Sequence, residues 1–127
     1  MPDKILIVDD EPKIRKLCSE ALRRAGYEVS VAKDAKTALN IIDKKPFDLI
    51  LLDIVMPEID GLELLKLIKK KQEDLIVIMI TGYASIETSV KAKKSGAYDY
   101  IKKPFSINEI RSTVKKALEY KNLIGTR

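Results

Sequence analysis

Five times along the chain a short apolar run gives way to a stretch in which apolar residues recur at three- and four-residue spacing, so the pattern reads as strand and helix in strict alternation. The strands predicted are Lys4 to Val8, Tyr27 to Ala32, Phe47 to Asp53, Leu75 to Ile80 and Ala97 to Ile101. Two of them, Leu49-Ile50-Leu51-Leu52 and Ile76-Val77-Ile78-Met79-Ile80, are unbroken apolar runs, as expected of strands covered on both faces. Tyr27 to Ala32 alternates instead and reads as an edge.

The helices carry their own signals. Pro12 stands at a first turn behind Asp9-Asp10-Glu11, and Ile14, Leu17, Cys18, Ala21, Leu22 and Ala25 form one apolar face before Gly26. Asp34 is placed to cap a helix with Ala35, Ala38, Leu39 and Ile42 inward. Leu62, Leu65 and Ile68 mark the third helix, whose Lys69-Lys70-Lys71 complements the negative end of the helix dipole. The fourth has a thin face, Ile86 and Val90, and stops at Gly96. Ser106-Ile107-Asn108-Glu109 is a capping box, and Ile107, Ile110, Val114 and Leu118 pack the last helix. Alternation of this kind predicts an α/β fold, a doubly wound parallel sheet of five strands joined by right-handed crossovers.

Composition narrows the class. At 127 residues the chain is expected to be one domain, residues 1–127, with no output domain. No N-terminal apolar stretch is long enough for a signal peptide or membrane span, and the single cysteine, Cys18, has no internal partner, so a cytoplasmic protein without a membrane role is expected. The thiol sits on an apolar helix face with no second Cys or His and reads as core. Lys plus Arg is 24 against 19 acids, a net charge of +5, without aromatic interleaving or clustered arginine; this is solvated surface rather than a nucleic-acid site.

The candidate chemistry lies at the strand ends. Asp9 and Asp10 follow the first strand, Asp53 ends the third, Thr81 follows the fourth and Lys103 the fifth, which puts all of them on the rim where open α/β sheets bind ligands. Two like charges ~4 Å apart repel by on the order of 4 kcal/mol at an effective dielectric near 20, so gathered carboxylates must protonate or hold a cation. Oxygen-only ligands suit a hard ion, and a site that keeps waters for a phosphate suits Mg2+. Taken singly, Asp9 and Asp10 are equally readable as acids preceding a helix.

Val8-Asp9-Asp10, Asp53-Ile54-Val55-Met56-Pro57 with Gly61, Thr81-Gly82 and Lys103-Pro104-Phe105 together resemble the motif set of response-regulator receiver domains, over essentially the whole chain. The resemblance implies a flavodoxin-like sheet of order 2-1-3-4-5 and a cis Lys103-Pro104 bond. It implies Asp53 as phosphoacceptor, and Mg2+ held by Asp10, Asp53 and the Val55 carbonyl, with Asp9 reaching the ion through water. Thr81 and Lys103 then contact the phosphoryl oxygens, and Tyr100 is the switch aromatic. Val55 and Tyr83, two residues after the phosphoacceptor and two after the switch threonine, border the approach of hydrolytic water. Such a protein is a phosphoacceptor switch rather than an enzyme acting on other molecules, catalysing only its own phosphorylation and dephosphorylation.

The chain has no histidine, so the phosphoryl group must come from a sensor histidine kinase, a phosphotransfer protein or a small-molecule donor. A downstream protein target is expected at helix four, strand five and helix five, and the protein as monomer or weak phosphorylation-dependent dimer. The arginine found in the last helix of receivers with a charge network there is Thr113 here. Two other classes fit less well. A haloacid-dehalogenase-like phosphatase needs a second acid two residues after its nucleophile, where this chain has Val55, and a dinucleotide-binding module needs a glycine-rich phosphate loop where it has Asp9-Asp10-Glu11.

Overall fold

A computed structural model describes residues 2–56, 59–82 and 86–125. The order is β1 (Lys4–Val8), α1 (Pro12–Arg24), β2 (Glu28–Ala32), α2 (Ala35–Lys44), β3 (Leu49–Asp53), α3 (Gly61–Lys71), β4 (Ile76–Thr81), α4 (Ile86–Lys94), β5 (Asp99–Lys102) and α5 (Ile107–Gly125). All pairings are parallel and the strands lie in the order β2-β1-β3-β4-β5. The α/β doubly wound sheet is therefore as expected.

Alternation along the buried strands divides the core in two. Leu6, Val8, Ile50, Leu52, Val77 and Met79 face α2, α3 and α4, while Ile5, Ile7, Leu49, Leu51, Ile78 and Ile80 face α1 and α5. The reason is the two-residue period: each central strand gives alternate side chains to opposite layers, so every position must be apolar. β2, at the edge, departs from the alternation of its sequence: Val29 and Ala32 are buried but Val31 is exposed.

The helix ends follow their local chemistry. Asp34 Oδ1 accepts from Thr37 N at 2.8 Å and Asp60 Oδ1 from Glu63 N at 2.8 Å, both N-caps, and Ser106 Oγ accepts from Glu109 N at 3.0 Å. Gly26 and Gly96 end helices with φ of 97° and 107°, a conformation that favours glycine.

Among the described side chains, which do not include that of Ile86, the helical faces differ from the periodic reading in four places. Leu17, Ala25, Val90 and Ile107 are exposed rather than packed. Ala92 carries the buried side of α4, and Ala117 joins Ile110, Val114 and Leu118 on α5. Periodicity finds a stripe, but the width of stripe actually covered depends on the neighbouring layer. β4 and β5 also begin later than the apolar runs suggest, at Ile76 and Asp99. Cys18 is buried, and burial pushes its thiol up to about 12, so it is core as read. Among the described residues no helix is long and apolar enough to cross a membrane.

Candidate functional site

Register brings the strand ends together. Val8 pairs with Leu52, so Asp9 and Asp53 leave adjacent strands side by side, and Thr81 pairs with Lys102 on the next two. The Lys103 N–H donates to the Thr81 carbonyl at 2.8 Å, which fixes the start of the β5–α5 connection against β4. Lys103-Pro104 is cis, in agreement with the sequence resemblance.

Asp53 is held from behind by a glycine. A Cβ on Gly61 would lie 2.1 Å from the Asp53 carbonyl oxygen and 2.6 Å from Ile54 Cα, so only glycine lets α3 start this close to the end of β3. The Gly61 N–H donates to the Ile54 carbonyl at 2.6 Å, closing the loop.

Asp9, Asp53 and Thr81 are buried, while Asp10 and Glu11 are exposed. The Lys103 ammonium lies 3.0 Å from Asp9 Oδ2, 2.9 Å from Glu11 Oε1 and 3.5 Å from Asp53 Oδ2. The Asp9 contact is an ion pair without the alignment of a hydrogen bond, and among the described residues the buried Asp9 Oδ2 accepts no hydrogen bond. Asp53 Oδ1 accepts from Val55 N at 3.2 Å, and Asp9 Oδ1 from Glu11 N at 2.9 Å.

The electrostatics are unfavourable to the acids. Burial, then the neighbouring Asp9 charge, pushes the Asp53 carboxyl up to about 6 against the pull of Lys103. Burial also raises Asp9, opposed by the Glu11 N–H and Lys103. For Lys103 burial acts downward, but the hydrogen bond to Glu11 and the contacts with Asp9 and Asp53 outweigh it and the ammonium is held above its ordinary range. The rim thus holds two carboxyls at a cost, set first by burial and then by their mutual repulsion, that an added cation relieves.

Asp9, Asp10, Glu11 and Asp53 each present a carboxylate oxygen, and these all lie within 4.8 Å of one another. An oxygen-only set with one buried, poorly satisfied oxygen fits a hard divalent cation such as Mg2+.

A family model for the response regulator receiver domain matches residues 5–115. The chain belongs to that family. It is a receiver domain of two-component response regulators. The receiver is 42% identical over 122 residues to sporulation initiation phosphotransferase F of Bacillus subtilis (strain 168), covering 96% of this chain and 98% of that protein. It is 39% identical over 121 residues to regulatory protein AtoC of Escherichia coli (strain K12), covering 95% of this chain but 26% of that protein, about a quarter of its length. The CheY-like receiver domain protein of Methanospirillum hungatei JF-1 superposes with a TM-score of 0.93 at 37% identity, over 96% of this chain and 98% of that one.

The remaining predicted residues fall as follows. Val55 is exposed, and its N–H donates to Asp53 Oδ1. Tyr100 is half-buried, its ring packed against the core layer shared with α4 and its hydroxyl oxygen screened from solvent. Tyr83, and Pro57 of the Asp53 motif, lie outside the described residues. Glu11 was not singled out from sequence; the signal was there as a third consecutive acid, but an acid before Pro12 reads first as a helix-dipole partner.

Proposed function

We propose that Asp53 is the phosphoacceptor of this receiver, and that Asp9, Asp10, Asp53 and the Val55 carbonyl hold Mg2+ for the reaction. The observation that carries this is the meeting, on one rim, of a buried strand-end carboxylate with a raised pKa, two further acids and a lysine that touches both buried acids. When bound, Mg2+ neutralises charge on the transferred phosphoryl group.

Phosphoryl transfer asks for positioning and charge stabilisation more than for covalent machinery. An Asp53 oxygen attacks phosphorus in line; the new bond is the aspartyl phosphate, and the bond to the donor's imidazole nitrogen or acetate oxygen breaks, its electron pair leaving with that group. Lys103 stabilises the phosphoryl oxygens during transfer. The Thr81 hydroxyl then accepts the role of ligand to the new dianion, and its inward movement gives the Tyr100 ring space, biasing a pre-existing two-state surface around α4 and β5. The donor is a sensor histidine kinase, a phosphotransfer protein or a small phosphodonor, and the moving surface is where a downstream protein binds. The receiver acts in the cytoplasm and modifies only itself.

The test is incubation with acetyl phosphate and Mg2+, followed by intact-mass measurement and peptide mapping. One added phosphoryl group on Asp53 is expected. No added mass, or a group on another residue, refutes the assignment.

A further inference from the structure

We propose that Glu11 is a positioning residue for phosphorylation, holding the Lys103 ammonium at the outer edge of the acid cluster so that this ion pair must open before the lysine serves the phosphoryl group. The inference rests on Asp53 being the phosphoacceptor.

The geometry begins at the N-cap of α1. Short polar side chains are favoured there because they reach back to the first free N–H groups, and Glu11, which occupies the position, makes no such cap. Asp9 Oδ1 takes the Glu11 N–H instead, and Arg15 ties the turn down through Nη1 to the Asp9 carbonyl at 2.7 Å and through its N–H to the Glu11 carbonyl at 3.1 Å. The backbone of Glu11 is therefore fixed while its carboxylate is free to reach outward. It reaches Lys103, 92 residues away, at 2.9 Å.

Comparison of the three contacts of Lys103 shows where the ammonium is held. Its hydrogen bond to Asp53 is long, 3.5 Å, and its 3.0 Å approach to Asp9 is not aligned as one. The best-formed bond goes to the acid that is 57% exposed, not to either buried acid. An ion pair that open to water is weak, so a phosphoryl dianion inside the site can displace it, at the cost of opening one pair. The latch costs a small factor in rate, because the pair must open before the lysine turns to the phosphoryl group.

The experiment compares wild type, Glu11→Ala and Glu11→Asp at saturating Mg2+, with acetyl phosphate labelling followed by mass and with binding of beryllofluoride, an unreactive phosphoryl analogue. Because Glu11 does not cap α1, its truncation leaves the helix start intact. Both variants break the contact, the aspartate by being one methylene short and by turning to cap the first N–H groups of α1, but only alanine removes the charge. Labelling about two- to fivefold faster in both, with beryllofluoride bound tighter by a similar factor, is expected from release of one half-exposed pair. Aspartate behaving as wild type would mean a general charge effect, and either variant being slower would mean that Glu11 assists the reaction directly; each overturns the latch. If the wild type itself takes no label, the phosphoacceptor reading fails and this inference with it, whereas labelling without a Glu11 effect overturns this inference alone.

Discussion

Strand β3 has an aspartate at each end, and the two live under opposite conditions. Asp48, just before the strand, accepts from the Lys4 N–H and from Lys121 Nζ, both at 2.7 Å, and its own N–H donates to the Lys4 carbonyl. Asp53, at the other end, has a 3.2 Å bond from Val55 N, a 3.5 Å approach from Lys103 and a second buried acid beside it. Burial acts upward on both carboxyls; at Asp48 the Lys121 and Lys4 contacts outweigh it and the pKa falls, while at Asp53 the Asp9 charge adds to it and the pKa rises. One end is a clasp joining β1, β3 and α5. The other is loosely held beside a second buried acid, and it is the end at which α/β sheets bind ligands.

The largest effect should separate the two aspartates as acceptors. Asp53→Ala should abolish acetyl-phosphate labelling and greatly weaken Mg2+ binding, since it removes nucleophile and metal ligand together, whereas Asp48→Ala should label at close to the wild-type rate. Intact-mass measurement after identical incubations decides it. Undiminished labelling of the Asp53 variant would sink the assignment.

The lysines of the two ends should differ in kind. Lys103→Ala should leave Mg2+ binding intact or stronger, because it removes a competing cation from the acids, yet phosphorylation should no longer move α4, as read by amide NMR shifts. A variant that still switches fully would remove Lys103 from the mechanism.

Stability against pH should move in opposite directions at the two ends. Asp48 has a depressed folded pKa, so its contribution is present above the unfolded value of 3.8 and is lost as pH falls through the lower folded value. Asp53 binds its proton more tightly folded than unfolded, so stability declines as pH rises from 3.8 to about 6 and stays reduced above that. Denaturation without Mg2+ should therefore show Asp53→Asn more stable than wild type by about 1–3 kcal/mol at pH 7, with the gap closing below pH ~4. Asp48→Asn should be less stable at pH 7 by about 1 kcal/mol, the worth of a partly exposed charged hydrogen bond. A wild type equal to Asp53→Asn at every pH would deny that the buried, charged Asp53 costs stability.

The same two ends show what a sequence displays and what it hides. Asp53, Thr81 and Lys103 are legible because each follows a run of strand residues, and parallel strands bring their carboxyl ends to one rim. The order of the strands is not written in any local pattern and came only with the family resemblance. Glu11 was hidden because whether an N-cap side chain turns to its own helix or to a lysine far along the chain depends on the packed turn beneath it. Leu17 and Ile107 kept the helical period yet stand exposed, one on α1 and one at the start of α5, because that edge of each helix has no neighbouring layer over it. The Asp48 clasp was equally invisible: a single aspartate before a strand carries no sign that a lysine on α5 will reach it.

The smallest effect concerns how long the charged end stays occupied. Loss of the phosphoryl group needs a water in line behind phosphorus, and we propose that the exposed Val55, two residues after Asp53, borders the approach of that water. Its side chain has no group to hydrogen-bond a water, so the near-attack geometry is disfavoured and the aspartyl phosphate should be comparatively long-lived. Val55→Asn, alone or with Tyr83→Glu, should supply polar groups that orient the water and accelerate autodephosphorylation, tenfold for each 1.4 kcal/mol removed from the barrier and severalfold for a single hydrogen bond. The same substitutions leave Asp48 and its clasp untouched, so decay should change while unfolding midpoints do not. Phosphate decay that is unchanged or slower in both variants would show that lifetime is controlled elsewhere on the rim, with the phosphoacceptor assignment itself left standing.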